Sequence, residues 1–272
     1  MSLTSFQRRV CRALAARRIA SGESYVAGGA ALNAALGGSR VSRDVDVFHD
    51  TDAALASSVT ADVAALRTMG LAVALLRELP AFVEASVSEG PDGVLVQWVR
   101  DSAFRFFPLV EDDDLGLTLH PLDLATNKVL ALVGRVEVRD WVDVLTCHAR
   151  LQPLGYLAWA TAGKDAGLSP TFVLAEASRT ARYTQPELAA LAFDGPAPSA
   201  SELAAAWRDA LAEAREIVDA LPAEHVGTCV LDSTGALFRG SASDARRAIP
   251  KGDLVFHPGA IRGAWPRVLA AR

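Results

Sequence analysis

At 272 residues the chain has room for one large or two modest domains, and with 51% of its residues apolar it can bury a sizeable core. A formal charge of −5 argues against generic nucleic-acid binding, although a local basic groove can coexist with it. Cys11, Cys147 and Cys229 are far apart and the five histidines show no metal-ligand spacing, which points to ordinary thiols in a reducing compartment and away from zinc. The arginine-rich start lacks the apolar core of a signal peptide, and no apolar stretch is long enough to cross a bilayer. A cytoplasmic location without membrane partners is expected.

The first helix gathers Arg8, Arg9, Arg12, Arg17 and Arg18, either as a solvated face or as a basic patch. Tyr25-Val-Ala reads as a buried strand, Gly28-Gly29 as a tight turn, and Ala30 to Leu36 as a helix whose first N–H groups can meet anionic phosphate. Arg40 and Arg43 add positive charge beside it. In Asp44-Val-Asp-Val47 the side chains of a strand alternate, so Asp44 and Asp46 share one face while Val45 and Val47 bury the other. Two carboxylates so placed can hold one magnesium ion, which binds through one or two carboxylates plus substrate phosphates.

An amphipathic helix over Asp52 to Met69 follows, with Leu55, Val59, Val63 and Leu66 at helical intervals. Leu71 to Leu76, Ala81 to Ser88 and Val94 to Arg100 read as strands, the last two joined by the turn Gly90-Pro-Asp-Gly93. Phe104 to Val110 and Leu115 to Leu119 are expected to continue the sheet around the acidic turn Glu111 to Asp114. From Pro121 the period becomes helical; Lys128 on that helix must either reach water or meet an anion, because an unpaired buried lysine is costly. Arg139-Asp-Trp-Val-Asp143 opens another helix, with Asp140 and Asp143 on a shared face.

The ordered set Gly28-Gly29, Ser42-Arg-Asp44-Val-Asp46, Lys128 and Arg139-Asp140-x-x-Asp143 resembles the AbiEii/MenA-type nucleotidyltransferase toxins, of the wider DNA polymerase β-like nucleotidyltransferase superfamily, over about residues 20 to 150. The resemblance implies a mixed α/β core in which Asp44 and Asp46 hold magnesium or manganese and the triphosphate of an NTP. It implies further that Lys128 contacts phosphate, that Asp143, with Asp140 second, completes the catalytic set, and that Gly28, Gly29, Ser42, Arg43, Lys128 and Asp140 line the nucleotide. Similar proteins are toxins of toxin–antitoxin pairs, and some transfer nucleotides to the 3′ end of tRNA. The chain departs from the superfamily pattern at the neighbouring strand, Leu95-Val-Gln-Trp-Val-Arg100, where Gln97 stands in the place of a third carboxylate and Asp143 or Asp101 would have to substitute.

Beyond residue 150, Tyr156 to Phe193 suggests short packed helices, and Ser199-Ala-Ser-Glu202 opens a long helix to Leu221. Residues 195 to 200 are the linker candidate. Gly227 to Phe238 reads as a hairpin turning at Asp232 to Gly235, with one more strand over Asp253 to His257. Arg239, Arg246, Arg247, Lys251, Arg262, Arg267 and Arg272, near Phe238, Phe256 and Trp265, form either scattered surface cations or an RNA-holding face.

The fold class expected is α/β with a mixed α+β sheet: a nucleotidyltransferase-like catalytic domain over 1–150, a helical region over 151–198, and a long helix plus small β module over 199–272. The expected function is magnesium-dependent transfer of an NMP from an NTP to an acceptor, with tRNA and a cognate antitoxin as partners. A small hydroxylated molecule or a protein side chain is the alternative acceptor, and an inactive nucleotide-binding protein is the alternative class.

Overall fold

The computed structural model describes residues 3–180 and 183–267. In chain order its elements are α1 (Ser5–Ser21), β1 (Ser24–Ala27), α2 (Gly28–Leu36), β2 (Asp44–His49), α3 (Asp52–Thr68), β3 (Ala72–Leu79), β4 (Phe82–Glu89), β5 (Asp92–Arg100), β6 (Phe104–Arg105), β7 (Val110–Asp112) and β8 (Gly116–Thr118). Then come α4 (Pro121–Arg135), α5 (Val138–Arg150), α6 (Leu154–Thr161), α7 (Pro170–Ala177), α8 (Gln185–Ala189), α9 (Ala200–Ala220), β9 (Thr228–Asp232), α10 (Ala242–Ala248), β10 (Leu254–Pro258) and β11 (Ala260–Ile261). The expected mixed α/β class is what forms. The chain folds as two compact units: one runs through Ala103 and includes Leu109–His120 and Ala192–Gly195, and the other holds Phe104–Pro108, Pro121–Leu191 and the chain from Pro196.

The first unit is built on a seven-stranded sheet in the order β3-β4-β5-β2-β1-β8-β7. β2 runs parallel to β5 and β1 parallel to β8, while the other neighbours are antiparallel. Both faces of β1 are buried, so it carries no polar alternation beyond Ser24. β2 and β5 do alternate: Val45, Val47, Val96 and Trp98 are buried on one face, and the Trp98 indole N–H donates to the Asp62 carboxylate of α3 at 3.0 Å.

The arginines of α1 are engaged within this unit. Arg18 is 1% exposed and donates to the Leu115 carbonyl at 3.1 Å. Arg8 and Arg12 both pair with Asp114 of the acidic turn, Arg9 pairs with Glu89, and Arg17 lies 3.6 Å from Asp62. The first helix is therefore an ion-paired face. The acidic turn helps to anchor it, and Asp112 also accepts the backbone N–H groups of Asp114 and Leu115.

His49, at the end of β2, is fully buried and its Nδ1–H donates to the Val99 carbonyl at 3.3 Å. Burial pushes its pKa from the ordinary 6.5 down to about 4, against a smaller opposing pull from that carbonyl. The folded state keeps the ring neutral where the unfolded chain takes up a proton. Its contribution to stability is thus complete above pH 6.5 and is lost as pH falls towards 4, an effect of about 3 kcal/mol at most. Urea titrations at pH 7 and pH 4.5 should show a smaller difference in His49→Gln than in the wild type.

In the second unit, Trp141, Tyr156, Leu157, Trp207, Leu211 and Ile217 of the helices fill the interior. β9 and β10 form a two-stranded antiparallel sheet. One expectation is corrected here. Phe104–Arg105 does not extend the large sheet but pairs with Ala260–Ile261. The reason lies just beyond, where the Asp123 carboxylate accepts the N–H groups of Phe106 and Phe107 at 2.9 and 3.0 Å while Lys164 neutralises it at 2.9 Å. The hairpin of residues 227–238 turns at Asp232–Gly235 as expected: Leu231 bridges Leu237, the Asp232 N–H donates to the Ala236 carbonyl and the Phe238 N–H to that of Val230, and the Asp232 side chain accepts from the N–H groups of Thr234 and Ala236. β10 pairs with β9 along its whole length.

Much of the basic C-terminal stretch is also occupied. Arg239 donates to the carbonyls of Ala149, Arg150 and Leu151, capping the end of α5, and Arg247 pairs with Asp244. Phe238 packs edge-on against Tyr156 and Phe256 stacks on His225, while Trp265 remains 62% exposed. Arg272 lies outside the described residues.

Candidate functional site

The carboxylate strand has the form read from its alternation. Asp44 and Asp46 are half-buried on one face of β2, with Val45 and Val47 almost wholly buried on the other. Ser42, 3% exposed, donates its hydroxyl to Asp44 Oδ1 at 2.7 Å and so fixes that side chain.

β1 lies antiparallel to β2 with Ala27 opposite Asp46, and this register brings the glycine turn onto the carboxylate. Gly28 has φ +65°, and a Cβ there would overlap Oδ2 of Asp46. At Gly29 a Cβ would overlap the Arg40 guanidinium and come within 3.1 Å of the Ser42 hydroxyl. The glycine pair is needed for close approach, and it opens α2 with no side-chain cap. A helix start of that kind, beside a buried arginine, offers backbone N–H groups and positive charge to an anion. Arg40, 5% exposed, therefore has a stronger claim to the site than the exposed Arg43 that the sequence pattern put forward.

Gly28→Ala should cost roughly 1–2 kcal/mol for the left-handed backbone alone, and more as the new methyl pushes Asp46 aside. A loss below about 0.5 kcal/mol in urea unfolding, the range of ordinary surface changes, would contradict that close approach.

In the second unit, Lys128 of α4 meets anions rather than water. Its Nζ lies 3.0 Å from Asp140 and 3.0 Å from Asp143, the lysine being 6% exposed and both aspartates fully buried. Arg135 forks onto Asp140 at 2.7 and 3.0 Å. Burial works to raise the Asp140 pKa, but the Arg135 hydrogen bond and the charges of Lys128 and Arg135 win and hold it below the usual carboxylate range. The shared face expected for Asp140 and Asp143 is real, and Lys128 is what they share.

Gln97 on β5 stands directly opposite Asp46, and Glu84 on β4 stands directly opposite Gln97. The Gln97 amide donates to Glu84 at 2.7 Å. Asp101, one of the substitutes considered for the third acid, accepts from the backbone N–H of Ser102 at 2.7 Å. Among the described residues no three His, Cys, Asp or Glu side chains converge as a metal site. The residues present still fit a divalent cation of the magnesium type: two half-exposed carboxylates on one face, one held by Ser42, beside a cradle that only glycine permits.

No protein-family model and no curated protein matches the sequence. Among solved structures, JHP933 from Helicobacter pylori is similar over 80% of this chain and 95% of its own, with a TM-score of 0.50 at 13% identity. The chain has the fold of JHP933. MenT4 from Mycobacterium tuberculosis, a nucleotidyltransferase toxin, is similar over 80% of this chain and 83% of its own, with a TM-score of 0.49 at 14% identity. At such identities likeness speaks for fold, and chemistry has to be argued from the side chains. No helix among the described residues is long and apolar enough to cross a membrane.

Proposed function

We propose that the protein is a nucleotidyltransferase that moves an NMP from an NTP to an acceptor hydroxyl, with tRNA the acceptor and toxicity the setting that the motif resemblance favours. One observation carries this most: Asp44 and Asp46 share a face of β2 where the Gly28-Gly29 turn presses onto Asp46 and opens an uncapped helix. A cognate antitoxin belongs to the same reading.

In the reaction the acceptor hydroxyl gives up its proton to solvent as its oxygen attacks the α-phosphorus, the bond to the bridging oxygen breaks, and pyrophosphate leaves. Asp44 and Asp46 would hold magnesium or manganese, which supplies charge neutralisation at the attacking and leaving oxygens. Ser42 keeps the Asp44 carboxylate in one orientation, so less has to be reorganised on binding. The first N–H groups of α2, Arg40 and Arg43 attract the phosphates electrostatically. Lys128 as a phosphate contact, Asp140 as a nucleotide contact and Asp143 as the completing acid enter through the resemblance.

Pyrophosphate release from each NTP, with magnesium and total tRNA, tests the proposal. It should require tRNA and disappear in the Asp44→Ala, Asp46→Ala double variant. Release supported by small hydroxylated molecules or protein in place of tRNA would transfer the reading to those acceptors. A second reading rests on Gln97, a neutral side chain opposite Asp46. An inactive nucleotide-binding protein is protected from unfolding by magnesium and NTP and releases no pyrophosphate.

A further inference from the structure

Three adjacent strands place Asp46, Gln97 and Glu84 in one row: β2 and β5 are in register at Asp46 and Gln97, and β5 and β4 at Gln97 and Glu84. Paired residues project to the same face, and the three are half-buried there, whereas their sequence neighbours Val45, Val47, Val83, Ala85, Val96 and Trp98 are buried on the other.

The Gln97–Glu84 hydrogen bond has only one possible sense. A carboxylate accepts and does not donate, so the amide nitrogen must face Glu84, and Gln97 presents its Oε1 away from that bond. A glutamine with two polar ends of different chemistry thereby becomes a one-ended oxygen donor. No other hydrogen bond engages the Gln97 side chain among the described residues.

We infer that Gln97 is a third, neutral ligand of the divalent cation held by Asp46, and that Glu84 is the positioning residue that turns the Gln97 carbonyl oxygen towards it. The inference rests on the metal-dependent reading of Asp44 and Asp46 proposed above. Magnesium and manganese take amide carbonyl oxygens as well as carboxylates, so the ligand chemistry is suitable. The glutamine is then a functional substitution for a carboxylate that lowers the negative charge of the site by one, and Gln97 does not by itself make the protein inactive.

The test is Mn2+ binding to the full chain without nucleotide, followed through the paramagnetic resonance signal of the free ion, with thermal melting as a check on each variant. Gln97→Ala removes the oxygen, and Glu84→Gln removes the lock because a second amide can either donate or accept. Glu84→Gln should weaken Mn2+ about tenfold, the lower end of the cost of losing an orienting partner, and Gln97→Ala, which removes the ligand itself, at least as much. The double variant Gln97→Glu, Glu84→Gln keeps a hydrogen bond of reversed polarity and adds a charge at the ligand. It should bind Mn2+ at least about tenfold more tightly than the wild type, as expected of a charged ligand.

A purely structural cross-strand pair predicts altered melting with wild-type Mn2+ affinity in all three, and that result overturns the inference. Wild-type affinity in Glu84→Gln alone overturns the positioning role. Asp46→Asn separates the two levels of the argument. If it weakens Mn2+ while the Gln97 and Glu84 variants do not, only this inference falls; if it too binds as the wild type does, the metal reading of the site falls with it.

Discussion

Asp46→Asn should lower nucleotidyl transfer on the order of 10³-fold while leaving the fold standing. The exchange preserves shape and removes one negative charge where the cation and the α-phosphate would meet. Metal-borne charge stabilisation amounts to several kcal/mol, and each 1.36 kcal/mol is tenfold in rate, so losing about 4 kcal/mol gives that factor. Stability should change by less than about 1 kcal/mol, since Asp46 is half-exposed on its strand and the core is carried by Val45 and Val47 on the opposite face. Rates under saturating NTP, together with a urea titration, check both halves. A variant that retains a tenth or more of the activity would remove Asp46 from the proposed metal site.

Lys128→Met should have the largest effect on stability. Its ammonium is the shared cation of two fully buried carboxylates, and removing one partner of a buried ion pair costs about 3–5 kcal/mol because the remaining charge stays desolvated. Asp140 retains the Arg135 fork, and Asp143→Asn in the Lys128→Met background takes away one of the two buried carboxylate charges that lysine shared, so it should recover part of the loss. Equilibrium unfolding of the two single variants and the double variant measures this coupling. A Lys128→Met protein as stable as the wild type would mean that the pair is not buried in solution. Inactivity of a Lys128 variant therefore bears on phosphate contact only where unfolding has been measured alongside.

What could be read from the sequence was whatever depends on local period. The two-residue alternation of Asp44-Val-Asp-Val47 gave the strand, its buried face and the shared carboxylate face, and all three are present. Pro121 and the apolar spacing behind it gave α4 from its first residue. The features that escaped depend on pairing across distance. Phe104 and Arg105 have a strand-like composition, but the acceptor of the next two N–H groups is Asp123, and composition cannot name that partner. The short helix α10 is held by a reciprocal cap between Ser241 and Asp244 and has too few turns for an apolar stripe.

The candidate site divides in the same way. Gly28-Gly29, Ser42, Asp44 and Asp46 stand close in sequence and could be assembled from spacing. Arg40 was legible beside Arg43 as positive charge near the glycine turn, but its burial against Gly29 exists only in the fold. Glu84 escaped because its relation to Gln97 exists only in the register of β4 on β5. Lys128 was legible as a residue that needed an anion, and α5 supplies two.

Nucleotide transfer at Asp44 and Asp46 is tested by incubating the full chain with magnesium, each α-labelled NTP in turn and total tRNA, beside the Asp44→Ala, Asp46→Ala double variant. Label attached to RNA by the wild type alone is the predicted result, and it also identifies the base. Magnesium-dependent NTP binding with no label on RNA, protein or small hydroxylated acceptors would contradict the claim and leave a nucleotide-binding protein.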